Sequence, residues 1–180
     1  MNRSGIAVPC PLGFSRVLPA ISGYTDALFM EDLGECEAAT EHLKRLIGAG
    51  KEQQARDFED VQIEMTAQML AAGMLDVDHG VHNMVVQPDG RPVKLDVELG
   101  RHVIWPRLFP AMYAQMLGRM IAMHAFAVQP DVGRMTRFAE RLRMRLKPSP
   151  EVFRRAGIHA RGMMQKQLQE TGIDTRLVLP

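Results

Sequence analysis

The chain has 180 residues, 46% of them apolar and 24% charged, with two cysteines and a formal net charge of +1. That length supports one domain with a real core, and the composition is that of a soluble globular protein. The near-neutral balance excludes a nucleic-acid-coating or acidic-tail protein. Cys10 and Cys36 form neither a disulfide framework nor a metal-ligand spacing, which implies a reducing compartment.

Residues 1–13 carry Arg3 but no apolar run long enough for a signal-peptide core. Residues 1–23 are rich in Pro and Gly and lack helical period, so they read as loop with one short strand near 14–18. The apolar run 27–30 stops at Glu31-Asp32-Leu33-Gly34, the pattern of a strand ending in a turn. A helix is expected over 35–47, stopped by Gly48 and Gly50. A longer one is expected over 52–72, where Phe58, Val61, Met65, Met69 and Ala72 recur at intervals of three and four.

Met84-Val85-Val86 and Pro92-Val93-Lys94-Leu95 flank Pro88-Asp89-Gly90, the chemistry of a tight hairpin. Three helices follow: 107–128, 131–146 with Asp131 as cap, and one from Ser149-Pro150-Glu151 to about Gly172. The stretch 109–128 is broken by Gln115, Arg119 and His124, so it reads as a buried helix and not a membrane span. These features point to the cytoplasm. The 14 methionines read as core fillers. The fold class expected is mainly α with a small hairpin (α+β).

The informative stretch runs from 75 to 100. Asp78 follows a long helix, Asn83 stands at the mouth of the first hairpin strand, and Asp96 at the exit of the second. A hairpin brings its outer ends together, so Asn83 and Asp96 are expected as neighbours, with Asp78 tethered beside them. Two carboxylates and an amide oxygen are a hard-oxygen set suited to Mg²⁺.

This arrangement resembles the protein-kinase-like superfamily, in particular the C-terminal lobe of aminoglycoside and other small-molecule phosphotransferases or of lipopolysaccharide kinases. There an Asp-x-x-x-x-Asn catalytic loop is followed across a hairpin by a metal-binding Asp, and Glu31-Asp32-Leu33-Gly34 is similar to the hinge. The likeness spans residues 24–100. It implies a kinase-like helical lobe over 35–180 and a remnant upper lobe with hinge over 1–34. It further implies that Asp78 accepts or orients the proton of the substrate hydroxyl. Asn83, also catalytic, would hold Mg²⁺; Asp96 would bridge Mg²⁺ to the phosphates of ATP; backbone near Glu31 and Leu33 would face the adenine.

The sequence departs from that family in its first part. Residues 1–26 leave no room for five strands and a helix, and no lysine precedes Lys44. Arg3 and Arg16 are the early cations, Asp76 stands where the family often has His, and the metal-binding triplet reads Asp96-Val97-Glu98. Transfer of phosphate from ATP to a hydroxyl is therefore expected to need another chain or unusual N-terminal packing. The alternative is a non-catalytic pseudokinase-like scaffold or a helical adaptor for a protein or anionic partner. An uncovered apolar surface around Leu28, Met30 and the hairpin is expected to recruit a second copy or a partner chain.

Three smaller features complete the reading. His79 and His82, with His102 or Asp78, have partial metal-ligand spacing but read as loop residues. Lys94 and Asp96 share a strand face and read as an ion pair. Residues 133–161 hold nine Arg and Lys against Glu140 and Glu151, read as a solvated basic face and not a nucleic-acid site.

Overall fold

The structure, a computed structural model, describes residues 7–17, 25–95, 100–129 and 131–171. It is mostly helical, with small antiparallel sheets. Strand β1 (Pro11–Val17) pairs antiparallel with β2 (Thr25–Met30), Val17 facing Thr25 and Pro11 facing Met30. The strand expected near 14–18 thus begins earlier; residue 18 lies outside the described residues.

The expected helix 35–47 starts later than its pattern suggests. Glu37–Ala38 form a strand, β3, and helix α1 covers Ala39–Gly48. The cause is tertiary: β3 pairs with β5 (Met84–Val86) through Glu37↔Val86 and Ala38↔Val85, so these residues complete a sheet edge instead of a helical turn. Glu37 then reaches over the helix to Arg45 at 2.7 and 2.9 Å and to His42 at 2.8 Å. The Arg45 hydrogen bond, with His42 and despite desolvation, holds the Glu37 carboxyl down at about 2.

Helix α2 (Glu52–Ala71) follows the predicted span, but its buried face differs from the apolar stripe. Phe58, Met65 and Met69 are buried as expected, whereas Val61 is 43% exposed and Glu59, Gln62 and Thr66 turn inward. Beyond it lies β4 (Met74–Asp76), a strand that no sequence signal marks; it pairs with β7 (Gly100–His102). The hairpin of β5 and β6 (Pro92–Lys94) forms as expected, with Met84 opposite Lys94.

Helix α3 (Pro110–Val128) is the axis of the core, burying Met116, Leu117, Met120 and Ile121 among others. Each such side chain contributes roughly 1.5–3 kcal/mol by leaving water. Helix α4 (Val132–Leu146) begins on Asp131, whose carboxylate accepts the Arg134 N–H at 2.8 Å. Helix α5 (Pro150–Thr171) begins with Ser149 Oγ accepting the Val152 N–H at 3.3 Å. Helices α3 and α5 cross at Gly118, where a Cβ would stand 2.7 Å from the Ala156 carbonyl oxygen and 2.6 Å from the His159 Cβ. Among the described residues no helix is long and apolar enough to cross a membrane.

The basic run 133–161 is largely exposed, as expected, but α2 supplies counter-charge to three of its members. Arg134 is buried and contacts Glu52 and Glu59; Arg141 contacts Glu59 and Asp60; Arg145 meets Glu64 at 2.9 and 3.0 Å. Arg154 and Arg155 both engage Glu151 on their own helix. Burial opposes ionisation of Glu59, but its hydrogen bond from His124 and the charges of Arg134 and Arg141 outweigh that and lower its pKa. His124, stacked on Phe138 at 3.8 Å, is driven toward its neutral form by burial, which Glu59 only partly offsets.

Glu59→Gln leaves Arg134 and Arg141 short of a buried counter-charge. Since Arg134 keeps Glu52 and Arg141 keeps Asp60, the loss should lie near the lower end for a broken buried pair, about 3 kcal/mol. Urea unfolding at neutral pH measures it.

Candidate functional site

Strand β4 leads the chain out of the core at Asp76 and into the loop that carries Asp78. Asp76 does two things there. Its Oδ1 accepts the Asp78 N–H at 2.9 Å, and its Oδ2 lies 2.7 Å from Lys94 Nζ. Both side chains are 1% exposed. The approach is off-axis, so the contact is an ion pair without a well-aligned hydrogen bond. Lys94 points into the protein toward β4 and meets Asp76 there, a partner that strand alternation does not mark. Asp96 itself lies outside the described residues.

The loop continues through Gly80, where a Cβ would sit 2.8 Å from His82 Nδ1 and 3.1 Å from the Met123 Cβ, so only glycine lets it pack on α3. A turn of 3-10 helix (Val81–Asn83) then delivers Asn83 to the start of β5. Asn83 Nδ2 donates to the Asp78 backbone carbonyl and to Asp78 Oδ2, each at 3.0 Å. Asp78 Oδ1 is met by Arg119 from α3 at 2.6 Å, with His82 Nε2 at 3.5 Å. The carboxylate is therefore clamped from both sides, about a quarter exposed, with a fixed direction and lone pairs to spare.

Asn83 also receives the chain returning along β6: the Leu95 N–H donates to its backbone carbonyl at 3.0 Å. With its amide nitrogen committed to Asp78, the Asn83 side-chain oxygen has no hydrogen bond among the described residues, which fits a hard cation that takes few protein ligands. Among the described residues no three or more His, Cys, Asp and Glu side chains are grouped to hold a metal.

The two histidines of the loop differ. His79 is fully buried against α2: Thr66 Oγ1 donates to the Gln62 carbonyl at 2.8 Å and lies 2.9 Å from His79 Nε2, which as the N–H donor leaves Nδ1 without a partner. Burial, with the charges of Lys94 and His82, pushes its pKa down to about 3. His82 is exposed, and partial desolvation of its ring lowers its pKa against the pull of Asp78.

The hinge-like residues stand apart from this cluster. The Glu31 N–H is used by the Cys10 carbonyl at 2.9 Å and the Leu33 carbonyl accepts Cys36 Sγ at 3.4 Å, while the Leu33 N–H makes no hydrogen bond among the described residues. No hydrogen bond or ion pair joins Glu31 or Leu33 to Asp78 or Asn83 among the described residues.

A solved structure described as WaaP in complex with acyl carrier protein is similar to this chain, with a TM-score of 0.63 and 14% identity, covering 89% of this chain and 70% of that one. At this identity the likeness shows a shared fold and no more. No protein-family model and no curated protein matches the sequence.

Sequence reasoning missed Arg119 and the Asp76–Lys94 pair. Arg119 had a signal: it lies in a stretch, residues 100–130, that contains no Asp or Glu, so any carboxylate partner had to come from elsewhere.

His79 gives the protein an acid-sensitive stability. The unfolded imidazole takes a proton below about 6.5, the folded one only near 3, so between those values protons favour unfolding. Unfolding free energy should fall as pH drops below 6.5, and His79→Leu should flatten the 6.5-to-5 part of that decline in urea titrations.

Proposed function

We propose that this chain is a kinase-like phosphotransferase module that moves a phosphate from ATP to a hydroxyl with Mg²⁺. The supporting observation is the closed circuit around Asn83: its side chain is bonded to Asp78 and its backbone to the residue before Asp96. In this reading Asp78 receives or orients the hydroxyl proton. Asn83 and Asp96 would hold Mg²⁺, which would supply positive charge to offset that of the phosphates. Leu33 and Glu31 border the adenine. The likeness to WaaP supports the choice of fold, and that protein was solved with acyl carrier protein, consistent with a protein partner here.

A second reading, a non-catalytic scaffold, is favoured by one specific contact. Arg119 holds Asp78 Oδ1 at 2.6 Å and Asn83 holds Oδ2, so the lone pairs left over on the carboxylate compete with two standing partners for a substrate proton.

Thermal denaturation with millimolar ATP separates the two. The phosphotransferase reading expects Mg²⁺-dependent stabilisation of about 1–2 kcal/mol at ATP near ten times its dissociation constant. Asn83→Ala and Asp96→Ala should abolish it. Asp78→Ala should retain the stabilisation and lose turnover. No stabilisation at any Mg²⁺ concentration would leave the scaffold reading.

A further inference from the structure

Residues 104–109 read Ile-Trp-Pro-Arg-Leu-Phe and lead from β7 into α3. Four large apolar side chains there stand in water: Ile104 is 83% exposed, Trp105 66%, Leu108 66% and Phe109 44%. Single exposed apolar residues need no account, but this density within six positions marks an interaction surface. The backbone that presents them is a closed turn, with the Leu108 N–H on the Trp105 carbonyl and the Phe109 N–H on the Pro106 carbonyl, both at 3.0 Å. Of the apolar surface expected near Met30, Met30 itself is 43% exposed, and the exposure of Leu28 lies outside what is described.

Behind the turn lies a cleft of about 630 Å³, lined by Leu70, Tyr113, Leu146, Trp105 and Leu108 among others. None of Asp78, Asn83, Glu31 or Leu33 lines it. The exposed Arg107 and Lys147 border it. Among the described residues neither they nor the exposed Arg101 on β7 have an ion-pair partner, in contrast to Arg145, which Glu64 holds. Residues 100–130 contain no carboxylate, so the turn, its strand and its helix carry positive charge alone.

An occupant must offer both an apolar interior and negative charge. A second copy fits badly, because a two-fold interface sets the same patch against itself and would oppose Arg107 and Lys147 to their own images. A bilayer with anionic lipids fits: Trp and Phe favour the headgroup boundary, and neighbouring Lys and Arg are drawn to lipid phosphates.

We propose that this face docks on an anionic lipid bilayer, with Trp105, Leu108 and Phe109 entering the headgroup boundary and Arg101, Arg107 and Lys147 on the lipid phosphates. The inference stands independently of phosphate transfer. Trp105 is the sole tryptophan, so its fluorescence reports this site alone.

The test uses the full chain and phosphatidylcholine vesicles with or without about a third phosphatidylglycerol. The protein should float with the anionic vesicles at least about tenfold better than with the neutral ones, with a blue shift of Trp105 emission and weakening by added salt. Trp105→Ser/Leu108→Ser and, separately, Arg107→Glu/Lys147→Glu should each cut vesicle affinity at least about tenfold. All four residues are exposed, so melting temperature should hold and a fold defect is readily recognised. Three results would overturn the proposal: no association with anionic vesicles; association indifferent to both pairs of substitutions; or a solution dimer or acidic-protein complex that uses this face while vesicles are ignored.

Discussion

A lysine ammonium and an aspartate carboxylate, both shut away from water, meet between β4 and β6, and the geometry of the candidate site follows from that meeting. Asp76 fixes the start of the loop by holding the Asp78 N–H. Lys94 fixes the returning strand, its own N–H bonded to the Ala7 carbonyl and its neighbour Leu95 bonded to Asn83. The pair therefore joins the two chain segments on which Asp78 and Asn83 depend. Breaking a buried pair by removing one partner costs about 3–5 kcal/mol, a large share of the 5–15 kcal/mol that separates folded from unfolded chains. Such a contact gives little net stability against an apolar replacement of both partners, so its value here is positional.

A second set of buried charges organises the helices. Glu59 of α2 gathers His124 of α3 with Arg134 and Arg141 of α4, and the rest of the α2–α4 contact continues outward through Asp60 and Glu64. With α3 lying almost wholly inside, these contacts fix how α2 and α4 lie against it. The loop that carries Asp78 packs on this frame through His79 on Thr66 and Arg119 on Asp78. The candidate site is thus borne by the helical core, and the turn at 106–108 lies on a separate part of the surface.

Long elements with local signals were legible in the sequence. The α2 span, the Pro88-Asp89-Gly90 hairpin and the caps at Asp131 and Ser149 all follow from residues close together in the chain. What escaped was decided by distant partners. The strands at 37–38 and 74–76 are too short to show period two and exist because β5 and β7 supply their hydrogen bonds. Val61 and Glu59 exchanged their expected sides because the charges that meet Glu59 lie 65 to 82 positions away. Within the candidate site, the nearness of Asn83 to Asp78 was readable from a short loop. The buried partner of Lys94 was not, since strand alternation placed it beside Asp96 and said nothing of β4.

The most direct test of the claim that Asp76–Lys94 holds the loop is native-state hydrogen exchange on wild type and Lys94→Met. The amides of Asp78 and Leu95 should lose most of their protection in the variant while those within α3 keep theirs. Unchanged protection at Asp78 and Leu95, in a variant that has truly lost the ammonium, would contradict the account.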